Sequence, residues 1–358
     1  MAKLGEVCDI LNGYAFKSNQ YTTSGVRIIR ISNVQKGYIE DKSPVYYPCD
    51  DENVKKYELK QNDLLISLTG NVGRTALLEE KFLPAALNQR VSCIRLKETD
   101  KVLKTYLFHL LNSDYFEQQC MKAAEGVAQK NLSPKWLFEY KIPIYSIERQ
   151  KEISNTLDKI ALLIILRKQQ LAKLDELIKA RFVELFHGQG YPVLKWKDIF
   201  DTTTGKLDSN AAVENGIYPF FTCSKEVLRI DKYAFEQKAL LLAGNNAAGR
   251  YDVKYYDGRF NAYQRTYVLG LKENWSYRVF QYQLEGKLEY LQQQSLGGLT
   301  KYLTLKILGE LDFIIPPKDK QDEFDTFVER VDRQKQTVQK SLEKLELMKK
   351  SLMQEYFG

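Results

Sequence analysis

The sequence predicts an α+β protein built twice over. Two tandem globular parts are each followed by a long helix, and the two helices pair as an antiparallel coiled coil under a pseudo-two-fold axis. Three observations predict this: the chain repeats itself along its length, two long runs lack both glycine and proline, and the remainder carries short β-branched runs bounded by turns.

The repeat is the organising feature. "KLGEVCDILNG" (Lys3 to Gly13) matches "KWKDIFDTTTG" (Lys195 to Gly205) at an offset of 192. The loops "LISLTGNVGRT" and "LLLAGNNAAGR" align at 174 through Gly70 and Gly244, which leaves 18 extra residues in the first half between the two matches. "NQR" at Asn88–Arg90 answers "YQR" at Tyr263–Arg265, and the following stretch aligns at 171, so that Gly126 meets Gly297, Lys130 meets Lys301 and Leu132 meets Leu303. The runs "VRIIRISNV", "DLLISLTG", "SCIRLK", "KALLLAG" and "TYVLGL" read as strands, and "TYLFHLLNSDYFEQQC" reads as one helix.

From Glu148 to Phe186, and again from Lys318 to Phe357, there is neither glycine nor proline, and each run stops at a glycine (Gly188, Gly358). Leu157, Ile164, Leu171, Ile178 and Leu185 recur every seven residues in the first run, with Ile160 and Leu174 beside them. Val331, Val338, Leu345 and Leu352 do so in the second, with Val328 and Leu342. Sustained heptads with charged flanks predict coiled-coil packing. The expected seam is Leu157, Ile164, Leu171, Leu174 and Ile178 against Val331, Val338, Leu342, Leu345 and Leu352. Arg167, Arg181, Lys335 and Lys349 interrupt the stripes and are expected where the seam opens to solvent or meets a partner, since a buried unpaired cation is costly. Packing of each helix on its own globular part alone is the competing arrangement.

The 358 residues suffice for two domains with separate cores. Lys and Arg exceed Asp and Glu, 53 to 46, a mild excess that suits an anionic partner without demanding one. Five scattered cysteines without a CxxC pair point away from a disulfide framework or a zinc site and toward a reducing compartment. With no apolar leader core and no membrane-length run, a cytoplasmic protein without membrane contact is expected. No GxxxxGK[ST] or GxGxxG pattern is present, and "IPPK" at Ile315–Lys318 lacks the features of the [ND]PP[YFW] grip of adenine methyltransferases. His109 and His187 do not match across the halves and read as structural or solvated. No metal site or catalytic residue is expected.

What repeats is polar and loop-borne. Asn71 and Arg74 answer Asn245 and Arg250; Gln89 and Arg90 answer Gln264 and Arg265; Lys130 answers Lys301. Asn and Gln can bond adenine bidentately in the major groove, Arg can do so to guanine, and Lys or Arg neutralises phosphate. The candidate DNA contacts are therefore Lys17, Arg30, Thr69, Asn71, Arg74, Gln89, Arg90 and Lys130 in the first half, and Ser224, Lys225, Asn245, Asn246, Arg250, Gln264, Arg265 and Lys301 in the second. Gln89 and Gln264 are the expected base readers, and Lys130 and Lys301 the expected phosphate contacts. A coiled-coil scaffold that binds no DNA, and an enzyme with cryptic methyltransferase or nuclease motifs, are the alternatives on the residues alone.

These pieces, with "LGEVCDILNGYAFKS", "GVRIIRISNVQKGYI", "GIYPFFTCSKE", "NAYQRTYVL" and the helix starts at Ile142–Glu152 and Ile315–Glu323, resemble the DNA-specificity subunits of Type I restriction-modification systems. The resemblance covers essentially the whole chain. It implies two target-recognition domains, 1–145 and 191–316, that read the halves of a split double-stranded DNA site. It implies long helices at 146–188 and 317–358 that space them and dock two methyltransferase subunits, with restriction and translocase subunits joining through the complex. It also implies a non-catalytic chain without a cofactor of its own: S-adenosylmethionine belongs to the methyltransferase partner, ATP and Mg²⁺ to the restriction partner.

Overall fold

The first strand of each half is held beside the stretch that leads into the long helix. Ala2–Lys3 pairs antiparallel with Lys141–Ile142, and Val193–Lys195 pairs with Asp312–Ile314. The computed structural model describes residues 1–97, 100–124, 131–247 and 249–358. They divide into one unit of Met1–Arg167 with Ser341–Gly358 and another of Lys168–Lys340.

In the first unit a four-stranded sheet runs Cys8–Asn12, Val91–Leu96, Leu64–Ser67, Thr75–Leu77, and a three-stranded sheet runs Tyr46–Tyr47, Val26–Ile29, Ala85–Leu87. In the second unit the corresponding strands form a single six-stranded sheet, because Val253–Ala262 is unbroken. Most of that strand, Val253 to Phe260, pairs with Phe235–Ala243, and its last two residues run parallel to Tyr218–Phe221. Its first-half counterpart is interrupted by the 3₁₀ turn Glu80–Phe82 and by Pro84, which has no N–H for a ladder.

"VRIIRISNV" is a strand only to Ile29. The chain then turns through the 3₁₀ segment Ile31–Asn33, whose Asn33 Oδ1 accepts from Arg30 N–H at 2.8 Å. "TYLFHLLNSDYFEQQC" is two helices, Lys104–Leu111 and Asp114–Ala123, and not one. Ser113 starts the second by accepting from Phe116 N–H at 3.1 Å, a local cap that the continuous helical period conceals. The second half also breaks, three residues later by the 171 offset, into Tyr277–Glu285 and Leu288–Gln294.

The long helices are Ile147–Phe186 and Lys318–Phe357, forty residues each, or roughly 60 Å at 1.5 Å per residue. In the first unit Ile153 and Leu157 share a core with Leu352, Met353 and Phe357; in the second, Ile178, Leu185 and Phe186 share one with Phe324, Val328 and Val331. The start of one helix thus meets the end of the other within each unit, so the two run antiparallel there. Leu157, Ile178, Val331, Val338 and Leu342 are buried, and Ile164, Leu171, Leu174, Leu345 and Leu352 are half-buried, as a heptad stripe requires. All four interrupting cations, Arg167, Arg181, Lys335 and Lys349, are half-buried. Arg181 reaches Glu184 at 2.7 Å and Glu323 on the other helix, and Lys335 reaches Asp175 at 2.5 Å. Carboxylates of the paired helix pair with these two, while 27% of the Arg181 and 31% of the Lys335 side chain stays in solvent, as expected of cations at the open edge of a seam.

Two buried glutamines join each globular part to its helix. Gln150 Oε1 accepts from Leu103 N–H at 2.8 Å, while its Nε2 donates to the carbonyls of Lys101 and Tyr145 at 2.7 and 2.9 Å. Gln321, 171 positions on, accepts from Ser276 N–H at 2.7 Å and donates to the Pro316 carbonyl at 2.7 Å.

His109 is buried in the first unit, its Nε2 2.8 Å from Asp158 Oδ1 on the long helix. Burial pushes its pKa below the ordinary 6.5, with Lys349 acting in the same sense and Asp158 opposing. A histidine held neutral in this way contributes stability that is present above the unfolded-state value and lost as pH falls. Urea midpoints are expected to decline below about pH 6.5, and His109→Phe, which copies Phe280 of the second half, is expected to remove that decline. An unchanged acid limb in the variant would assign it to other groups.

No helix among the described residues is long and apolar enough to cross a membrane.

Candidate nucleic-acid interface

Four chain segments meet at the loop surface of each unit. Leu68 N–H donates to the Arg90 carbonyl at 2.9 Å and the Leu68 carbonyl accepts from Leu132 N–H at 2.8 Å. In the second unit Gly244 N–H donates to the Arg265 carbonyl and its carbonyl accepts from Leu303 N–H, both at 2.8 Å. The fourth segment joins through Gln89 N–H to the Tyr14 carbonyl at 2.8 Å, matched by Gln264 N–H to the Leu207 carbonyl at 2.9 Å. It approaches so closely that a Cβ on Gly13 would collide with the Asn88 carbonyl, and one on Gly205 with the Ala262 carbonyl.

These bonds correct the register of the repeat. Gly244 stands where Leu68 stands, and Ser67 opposite Val91 matches Ala243 opposite Thr266, so the loop offset is 176 and not 174. Asn245 therefore occupies the place of Thr69, which bridges Asn131 as Asn245 pairs with Tyr302. Ala247 falls at the place of Asn71. Arg74 and Arg250 do correspond, as do Gly73 and Gly249, both with positive φ (86° and 65°). The extra length of the first half is 16 residues, 192 less 176, and lies between Ile29 and Ser67, because Ile29 and Phe221 still match at 192. The shared letters "GN" suggested the other register; the backbone ladder decides it.

The apex of each surface is a tight turn. Val91 N–H bonds the Asn88 carbonyl at 3.4 Å and Thr266 N–H the Tyr263 carbonyl at 2.8 Å, which places Gln89–Arg90 and Gln264–Arg265 at the two central positions. All four side chains are exposed. Arg90 adopts φ +68°, a conformation that costs a non-glycine residue about 1–3 kcal/mol and is retained where surrounding structure imposes it. Gln264 Nε2 lies 3.4 Å from Asp208 Oδ2; no side-chain partner of Gln89, Arg90 or Arg265 occurs among the described residues. Beside this turn, burial raises the Tyr267 hydroxyl pKa, with Arg265 opposing, so the protonated group donates to the Leu303 carbonyl at 3.0 Å.

The two arginines of the loop differ. Arg74 Nη1 donates to Gln35 Oε1 at 2.6 Å, and Asn71, with its carboxamide oxygen turned to the guanidinium, accepts from Nη1 and Nη2 at 3.3 and 3.2 Å. Ser67 Oγ adds bonds to the Asn71 carbonyl at 2.5 Å and from Arg74 N–H at 3.1 Å. Gln35 lies between Ile29 and Ser67, where the first half is longer by 16 residues, and Ala243 stands at the place of Ser67. Arg250 is accordingly exposed, its backbone N–H meeting Asn246 Oδ1 at 3.3 Å.

The family model for the Type I restriction modification DNA specificity domain matches residues 1–176 and 189–347. The chain belongs to that family.

Among relatives of this specificity-domain chain, the EcoDI specificity subunit of Escherichia coli is 34% identical over 145 residues, covering 38% of this chain and 31% of that protein. The MjaVIII specificity subunit of Methanocaldococcus jannaschii is 31% identical over 183 residues, 49% of this chain and 42% of that protein. The chain thus spans less than half the length of these relatives. In fold it is similar to the S subunit of a Type I restriction-modification system from M. genitalium, with a TM-score of 0.63 at 16% identity over 100% of this chain and 95% of that one. A chain described under "Structural basis underlying complex assembly and conformational transition of the type I R-M system" gives 0.58 at 16%, over 99% and 96%.

The remaining candidates of this specificity-domain chain scatter. Arg30 Nη2 donates to the Ser43 carbonyl at 2.7 Å, inside the stretch where the first half is longer, and Lys17 is exposed at the start of the 3₁₀ turn Ser18–Gln20. Ser224 gives its carbonyl to Lys254 Nζ at 2.9 Å, and Lys225 beside it is exposed. Asn246 pairs with Lys301 in a two-residue ladder. Lys130 lies outside the described residues. Sequence reasoning missed Gln35, Ser67 and Asp208, which have no counterpart of the same type across the halves. Gln150 and Gln321 stand in the helix starts that the resemblance rests on, but their role in joining globular part to helix was not assigned from sequence. Among the described residues no group of three or more His, Cys, Asp or Glu side chains is arranged to hold a metal ion.

Proposed function

We propose that the chain is the DNA-reading subunit of a Type I restriction-modification complex, each unit reading one half of a bipartite duplex site. The observation that carries this is the doubled surface: the same four segments, joined by the same backbone bonds, lift a Gln-Arg turn to its apex in both units. An exposed glutamine on a rigid turn suits base-edge readout, and the exposed cations beside it suit phosphate. In this reading 1–145 and 191–316 are target-recognition domains, and 146–188 and 317–358 are helices that set the spacing. Gln89 and Gln264 read bases, Lys130 and Lys301 position the backbone, and Arg74 stiffens the loop that carries Thr69. Two methyltransferase subunits, with bound S-adenosylmethionine, and ATP- and Mg²⁺-dependent restriction subunits complete the complex. Methylation of a stacked adenine needs the base extruded into a shaped pocket, which is the methyltransferase's task.

Selection of duplexes from a random library by the full chain tests this. Two short sequences at fixed separation are expected. Gln89→Ala should relax one and Gln264→Ala the other, each lost bidentate contact costing about 1–3 kcal/mol of discrimination. Equal weakening on all sequences would reject the glutamines as readers, and absence of any enriched sequence would leave a coiled-coil scaffold that binds no DNA.

A further inference from the structure

The hairpin Leu296–Tyr302 in the second unit presents a leucine to water for no reason that the fold supplies. Its base is closed by Leu296 N–H to the Tyr302 carbonyl at 3.1 Å and Tyr302 N–H to the Leu296 carbonyl at 2.8 Å. Gly297 turns the chain with φ +101°, and a Cβ there would collide with the Thr300 carbonyl; Gly298 stands in open space. Leu299, at the tip, is 96% exposed, whereas the next most exposed large apolar residue, Met1, is at 78%. A single exposed leucine is ordinary on a protein surface; what sets this one apart is its place at the tip of a closed hairpin that borders the loop surface.

The position of the tip says which partner. The strand Lys301–Tyr302 that carries it pairs with Asn245–Asn246, and Leu303 is bonded to Gly244, so the hairpin borders the loop surface described above. Amides and exposed cations beside an apolar tip match duplex DNA, whose phosphates flank a stack of apolar base faces. Leucine is among the side chains that enter such a stack, unstacking a step and bending the duplex. We propose that Leu299 is a wedge that enters the base stack at the half-site read by the second unit; this rests on the DNA-reading function proposed above. At an offset of 171 the first half's sequence carries Val127 and Ala128, which lie outside the described residues, opposite Gly298 and Leu299, so no leucine answers Leu299 in the repeat. The wedge therefore belongs to one half-site.

The full chain bound to its selected duplex, with 2-aminopurine moved step by step through both half-sites, tests the wedge. Fluorescence is expected to rise at one step of the second half-site only. Leu299→Ser should abolish the rise and weaken binding about tenfold, with an unchanged thermal midpoint, while Leu299→Met should keep both. Flat fluorescence in the wild type, or a rise that persists in Leu299→Ser, would overturn the wedge while leaving DNA reading intact. Loss of methyltransferase binding by Leu299→Ser without any change on DNA would overturn it in favour of a protein contact. No duplex binding by the wild type would remove the DNA reading and the wedge together.

Discussion

Gln150→Leu is expected to cost the protein about 3–5 kcal/mol, well above the roughly 1 kcal/mol of an average substitution. Leucine is close in volume, so packing changes little. What is lost is the partner of three backbone groups: the Leu103 N–H and the carbonyls of Lys101 and Tyr145. Gln150 is itself 0% exposed, so water does not replace it without opening the joint. Gln321→Leu strands two groups, the Ser276 N–H and the Pro316 carbonyl, and is expected to cost less. Denaturant unfolding with hydrogen exchange at Leu103 and Ser276 reads both effects. If either variant stays within about 1 kcal/mol of the wild type, the joint is held by packing and not by the glutamine. In the function proposed above, loosening the joint should broaden the preferred separation of the half-sites while leaving their sequences unchanged.

Phe324→Ala should rank with it, at about 3–5 kcal/mol. Phe324 is fully buried, with its ring centroid 5.5 Å from those of Phe182, Phe186 and Tyr282, all edge to face, so its removal leaves a hole among rings too stiff to collapse into it. Ile153, 171 positions earlier, holds the same place in the first unit, and Ile153→Ala should cost less because a smaller side chain leaves a smaller hole. Thermal unfolding and exchange protection across 318–331 check the first. A loss below about 1 kcal/mol for Phe324→Ala would mean that the aromatic cluster closes over the gap.

The long helices were legible because their pattern is local. A seven-residue period lays Ile178 on the stripe of the first helix and Val331 on that of the second whatever surrounds them, and both are buried. The partners of their cations were not legible, because Asp175 and Glu323 lie on the opposite helix and sequence spacing carries no information on which carboxylate faces which lysine or arginine. The Gln-Arg turns were legible as a repeat, since both surfaces need them. The loop register was not: "GN" recurs by letter at 174, while the ladder bonds of Leu68 and Gly244 set 176. A repeat of side chains and a repeat of hydrogen bonds part company wherever one half gains or loses residues. Arg74 shows the same limit, because its partner Gln35 sits where the first half is longer and the halves do not align residue by residue.

The membership of the first unit bears on the order in which the protein is made. Its core includes Phe357, buried with its ring 5.6 Å from that of Tyr106, together with Leu352 and Met353. These residues leave the ribosome only after the whole of Lys168–Lys340, the second unit, has been translated. Until then Leu157, Tyr106 and their neighbours lack that part of their packing, and the first half waits, incomplete, for a helix end that is still unwritten. Folding of the unit that starts first therefore finishes last, and the nascent chain carries a sticky apolar face through most of its synthesis.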